Sequence, residues 1–258
     1  MLAEEELRAG NIEQALSLLQ DQIRKEPNTP KYRIFLFQLL CVLGRWERGL
    51  VQLKVVGELD PSASSMVQTY REAIRCEVLR AQVFAGAKTP LLFGQPAPWM
   101  ALLFEALVLD AQSMSEQAAR MRTRALQEAP ATSGTIDGQA FEWIADADGR
   151  IGPMLEAIIG GKYYWVPFSR LNALRMEAPA DLRDVVWMPA FLTLATGGEV
   201  AALIPTRYPS SEARSDSKIQ LSRQTDWLQD NGLSRGLGQR CLFTDSAEYA
   251  LMDIRALD

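Results

Sequence analysis

Histidine is absent from all 258 residues, and that gap removes several chemistries. No Ser-His-Asp or Cys-His nucleophile pair, His-ligated zinc or imidazole proton shuttle can be built. Any catalysis would rest on carboxylates, Lys, Tyr or a metal held by oxygen. Cysteine is nearly as scarce. Cys41, Cys76 and Cys241 are far apart and odd in number, which argues against a disulfide framework or CxxC metal site and for reduced, packed thiols. No run of about 18 apolar residues occurs, so no transmembrane helix is expected. The opening MLAEEELRAG is acidic and lacks the basic and apolar regions of a signal peptide, which points to the cytoplasm. A basic stripe is missing as well. Residues 1–130 carry 15 basic and 15 acidic side chains and 131–258 carry 12 and 17, so a nucleic-acid partner is not expected. Neither a metal nor a cofactor is predicted.

What is present is enough apolar residue, 48% of the chain, to bury one large domain or two modest ones. The first half carries an internal echo. Gly10, Ala15, Leu19 and Pro27 recur 34 positions later as Gly44, Gly49, Leu53 and Pro61. A period of about 34 residues is that of the tetratricopeptide helix-turn-helix, whose stacked copies form a concave surface for another chain. Asn11 is a good N-cap for IEQALSLLQDQIRKE, in which Ile12, Ala15, Leu18, Leu19 and Ile23 share one face. Pro30 opens KYRIFLFQLLCVL, apolar almost all round and therefore the most buried helix of this half. A long helix is predicted over 64–84 with Val67, Tyr70, Ile74 and Val78 along a stripe, then a Gly/Pro-rich loop and a further helical pair ending at Pro130. In that pair Ala118 again precedes the terminating proline by the spacing seen for Ala15 and Gly49.

The second half changes character. ATSGTIDGQ (131–139) has the composition of a linker. Strand-like runs follow at 140–145, 162–168, 185–195, 200–205, 240–244 and 248–257, with Gly197-Gly198 as a hairpin turn. GPMLEAIIGG is predicted as a short helix, with Pro153 in its first turn and glycines at its end. The expected fold is therefore α+β. An N-terminal all-α TPR-like helical repeat domain (1–130) precedes the linker (131–139) and a C-terminal, mainly antiparallel α+β domain (140–258).

Few constellations suggest chemistry. Asp146, Asp148 and Gly149 match positions 3, 5 and 6 of a calcium loop, but Ile144 and Leu155 fall where end ligands are required and Glu156 arrives one residue late. A tight turn fits better, with Asp148-Gly149 at positive φ and Asp146 bonding backbone amides. Paired acids at Asp181/Asp184 and Glu142/Asp146 could do acid–base work, but Arg183 and Arg150 lie close enough to pair with them. GLGQR (236–240) matches no phosphate loop. The run Tyr163-Tyr164-Trp165 raises an aromatic surface; most of the tryptophans are expected in the core, and Tyr163, Trp165 and Arg207 are the residues to test for an exposed patch.

Several long motifs occur in order: YRIFLFQLLCVLGRWERGLVQL, YREAIRCEVLRAQVFAG, FEWIADADGRIGPMLEAIIGGKYYWVPF, LRDVVWMPA, IPTRYPSSE and GLGQR. Together they resemble the ImpE/TagJ (SciE-like) accessory proteins of bacterial type VI secretion systems, over nearly the whole chain. Gly49 stands where that family's pattern leads one to expect Ala. The resemblance implies a non-enzymatic cytoplasmic adaptor. Its partner would be the N-terminal helix of the small, TssB-like sheath subunit, with a link, direct or through the sheath, to recycling by a ClpV-type AAA+ ATPase. A helical repeat suits helix-in-groove recognition. In a 34-residue frame the concave face would be lined by Lys31, Ile34, Gln38, Cys41 and Val42, although Ile34, Cys41 and Val42 could equally pack between helices. The competing class is a carboxylate- or metal-dependent enzyme in the C-terminal half, using Glu142, Asp146, Asp148, Asp184 and Arg207.

Overall fold

Apolar residues at helical spacing, punctuated by glycines and prolines, set the first half. The computed structural model describes residues 2–230 and 232–258. It begins with the helices α1 Leu2–Ala9, α2 Ile12–Lys25, α3 Pro30–Val42, α4 Trp46–Leu59, α5 Ser64–Phe84, α6 Pro98–Ala111 and α7 Ser115–Glu128. α1 packs on α2, α3 on α4, and α6 on α7. The echo is visible in the backbone. α2 and α4 are each 14 residues long and begin 34 positions apart, at Ile12 and Trp46. The helices before them end alike. Gly10 and Gly44 sit at φ +89° and +63°, and Asn11 N–H and Arg45 N–H reach back to the carbonyls of Glu6 and Leu40 at 2.8 Å each. That is a Schellman cap, whose left-handed residue is cheapest as glycine. α3 is buried along its whole second half, from Leu36 to Val42.

The strands are β1 Leu91–Leu92, β2 Gly134–Ile136, β3 Gln139–Phe141, β4 Ile144–Asp146, β5 Met154–Ile159, β6 Lys162–Pro167, β7 Leu171–Met176, β8 Trp187–Leu194, β9 Glu199–Pro205, β10 Thr225–Asp230, β11 Leu233–Gly238, β12 Cys241–Thr244, β13 Glu248–Ala250 and β14 Ala256–Leu257. A short helix, α8 Ser217–Gln220, lies between β9 and β10. Nine strands form one sheet in the order β1-β6-β5-β9-β8-β7-β14-β2-β3, antiparallel except for β1 against β6. β13-β12-β4 make a second sheet and β10-β11 a ribbon.

Side chains alternate along each strand, so the large sheet has two faces, and each packs on a core over most of its area. On one face Met154, Tyr163, Trp165 and Trp187 join Phe37, Tyr70 and Ile74 of the helices in a single core. The rings of Trp187 and Tyr70 lie 5.8 Å apart, and those of Trp165 and Phe104 5.3 Å. On the other face Leu155, Val166, Leu192 and Ile204 pack with Ile144 and Leu242 of the small sheet. Helices and sheet thus share a core.

Three local expectations are corrected. GPMLEAIIGG is not a helix; it holds β5, and Gly160-Gly161 turn it into β6 at φ +55° and +73°. Two consecutive positive φ values make the type I′ hairpin turn, and a strand buried on both faces loses the alternation that identifies it. The stretch 131–139, a linker by composition, is built into the sheet. Asp137-Gly138, at φ +48° and +82°, turns β2 into β3, and Thr135 N–H donates to the Asp258 carbonyl at 2.7 Å. In α5, Val78 faces solvent, and the buried stripe runs instead through Cys76, Glu77 and Arg80.

Candidate partner-binding surface

Two polar regions flank the shared core, one closed and one open. In the closed one, α5 projects Glu77 and Arg80 toward the sheet, one helical turn apart. Arg80 forks onto Glu156 of β5, Nε to Oε1 at 2.7 Å and Nη2 to Oε2 at 2.9 Å. It also donates to the Arg207 carbonyl at 2.9 Å. Arg240 bridges Glu156 and Asp146. Tyr163 donates its hydroxyl proton to Glu156 and accepts from Trp165 Nε1 at 2.7 Å. Trp187 Nε1 donates to Glu77 at 3.0 Å.

Burial alone would push the Glu156 carboxyl up, but the guanidiniums of Arg80 and Arg240, with the bonds from Arg80 and Tyr163, hold it at about 2. Asp146 feels the opposite balance. Burial outweighs Arg240 and pushes it up to about 6. Burial likewise raises Glu77, against the pull of Arg80.

Of the acids singled out in the C-terminal half, Asp146, Asp148 and Asp184 are engaged. Asp148 takes a bidentate contact from Arg150, at 2.9 and 2.5 Å, and Gly236 N–H at 3.0 Å. Asp184 accepts from the backbone N–H groups of Ala180 and Asp181 at 2.9 and 2.8 Å. Glu142 is exposed. The tight turn exists, with Asp148 N–H on Asp146 Oδ1 at 2.8 Å, but its positive φ is at Gly152 rather than at Asp148-Gly149. A Cβ on Gly149 would lie 2.8 Å from Leu233 Cδ1, the movable end of that side chain. Among the described residues no group of three or more Cys, Asp or Glu is placed to hold a metal ion, and no helix is long and apolar enough to cross a membrane.

The expected exposed patch does not exist, because Tyr163, Trp165 and Arg207 are all buried. The first two are core aromatics on the helix-facing side of β6. Arg207 is drawn inward by helix ends. Its Nη2 donates to the Cys41 carbonyl at 2.8 Å and its Nη1 to the Val42 carbonyl at 2.7 Å. Cys41 and Val42 themselves are fully buried, and burial pushes the Cys41 thiol well up. They pack between helices and line no surface.

Lys31, Ile34 and Gln38 fare differently. They line an open groove of about 570 Å³ between α1 and α3, together with Leu7, Arg8 and the segment Ala180–Leu182. α1 supplies one wall and α3 the other; the third comes from the C-terminal half, which sequence spacing did not indicate. A second opening, of about 650 Å³, lies where the sheet runs out from under α5, and there Phe191 is 54% exposed beside Pro189 and Ala201. Neither Arg80 nor Arg240 was identifiable as a site residue. The only trace of the first is a Glu-x-x-Arg pair inside an apolar helical stripe.

Comparison with known proteins agrees with the motifs. The ImpE protein family matches residues 138–258. The type VI secretion system accessory component TagJ of Pseudomonas aeruginosa is 54% identical over 258 residues, spanning all of this chain and 91% of TagJ. The X-ray structure of protein VPA1032 from Vibrio parahaemolyticus superposes with a TM-score of 0.91 at 23% identity, covering 100% of this chain and 97% of that one, so the fold is shared. This chain belongs to the ImpE/TagJ family of type VI secretion system accessory proteins.

Proposed function

We propose that this protein is a non-enzymatic cytoplasmic adaptor of a type VI secretion system, and that it binds the N-terminal helix of the small, TssB-like sheath subunit. On this reading it links the contractile sheath to recycling by a ClpV-type ATPase. The observation that carries the proposal is the groove between α1 and α3. It sets apolar Leu7, Ile34 and Leu182 among charged Arg8, Lys31 and Asp181, the pattern that receives an amphipathic helix with ion pairs at its rim. Family membership supports the secretion-system setting.

The test is capture of the sheath subunit with and without its first helix, followed by Ile34→Asp in this chain. Binding is expected to require both the helix and Ile34. Undiminished capture of the truncated subunit would remove the helix from the proposal. Loss of binding in Phe191→Asp, but not in Ile34→Asp, would move the site to the exposed sheet face.

A further inference from the structure

All three walls of the groove are tied to one segment of the C-terminal half, residues 206–223. α1 ends against Arg223, whose Nη1 donates to the Arg8 carbonyl at 2.9 Å and Nη2 to the Leu7 carbonyl at 3.1 Å. α3 ends against Arg207, through the Cys41 and Val42 carbonyls. The third wall is held by two hydroxyls. Thr206 donates to the Asp184 carbonyl at 2.6 Å and Ser222 to the Val185 carbonyl at 2.7 Å.

The segment is also braced within itself. Arg207 Nη1 donates to the Gln220 carbonyl at 2.7 Å, closing the end of α8, and Arg223 N–H donates to the Lys218 carbonyl at 2.8 Å. The two left-handed glycines that end α1 and α3 pack on the same segment. A Cβ on Gly10 would come within 2.9 Å of the Ser217 hydroxyl, and one on Gly44 within 2.5 Å of the Glu212 side chain. A cation at a helix C-terminus answers the dipole and the unpaired carbonyls there. Two arginines from one rigid segment therefore hold two helices at a set spacing.

We infer that Arg207 and Arg223 are positioning residues that set the width of the groove, so that the C-terminal half governs how tightly the groove holds a helix. The inference rests on the reading of the groove as the partner site. Neither arginine lines the groove; they act through α1 and α3. Arg207 is buried, and its replacement would threaten folding. Arg223 is exposed, which makes it the residue to test.

In Arg223→Ala, amide hydrogen exchange in α1 is expected to quicken about fivefold while α5 is unchanged. Affinity for a synthetic peptide of the sheath subunit's N-terminal helix is expected to fall by a similar factor, equivalent to about 1 kcal/mol. Arg223→Lys should recover part of both, since an ammonium can reach one carbonyl at a time. Exchange and affinity both unchanged in Arg223→Ala would overturn the inference, as would faster exchange in α1 with undiminished affinity. Should the wild-type chain fail to bind the peptide at all, the partner reading falls. The exchange data then still decide whether Arg223 holds α1.

Discussion

In the seam between helices and sheet, Arg80, Glu156, Arg240 and Asp146 are buried, and each charge is answered by the next. In the groove between α1 and α3, Arg8, Lys31 and Asp181 surround apolar side chains at an opening to solvent. The ingredients are alike but the physics differs. A buried pair has already given up its water, so removing one member strands the other at large cost. A charge at an open rim is screened and contributes little until a partner covers it. The seam therefore fixes how the halves sit, and the groove is the region that the proposed function assigns to another chain.

The largest expected effect breaks the seam. Arg240→Ala leaves Asp146 and Glu156 buried without their shared cation and should cost about 3–5 kcal/mol in denaturant unfolding; a loss under about 1 kcal/mol would mean the seam tolerates an empty position. Acid should reach the same place. Glu156 has a folded value of about 2 against an ordinary 4.5, so the unfolded chain binds the extra proton between them. Its contribution is present above about 4.5 and is lost as pH falls toward 2, amounting to about 3 kcal/mol. Comparing unfolding midpoints at about pH 3 and about pH 6 for wild type and Glu156→Gln checks this, since the variant should lose that part of the slope.

At the groove, Ile34→Ala should weaken helix binding about tenfold with a smaller effect on stability. Phe191→Ser should leave binding alone, and equal losses in the two titrations would erase the distinction between the openings. The smallest effect leaves both regions intact. Gly49 lies inside α4, and a Cβ there would sit 3.5 Å from Cys41 Sγ and Ile74 Cδ1, in ordinary contact. Gly49→Ala should raise stability by about 0.5–1 kcal/mol without changing partner affinity.

Much of the fold was legible in the chain because its signals are local. The Gly10/Gly44 echo is written in helix caps, and Gly197-Gly198 lie in the turn between β8 and β9, where a hairpin was expected. Where the sequence misled, the missing information was non-local. Gly160-Gly161 end a helix or turn a hairpin equally well, and only the partners of β5 decide between them. Asp137-Gly138 has loop composition whether or not β14 lies beside it. Of the residues expected to bind, Lys31 and Ile34 reach an opening because α3 is partly uncovered near its start, while Gln38 borders that opening but is itself buried. Cys41 and Val42 lie at its covered end.

By itself the sequence determined what kinds of site were possible. A chain without histidine can build no imidazole site, and its 34-residue echo sets the caps of its first helices, since residue types and local periods depend on no distant contact. The tertiary structure alone decided that Tyr163, Trp165 and Arg207 are buried, that Arg80 meets Glu156 across 76 positions, and that the C-terminal half walls the groove. Those outcomes depend on which faces meet when the core closes, and burial and ion pairing follow from that meeting.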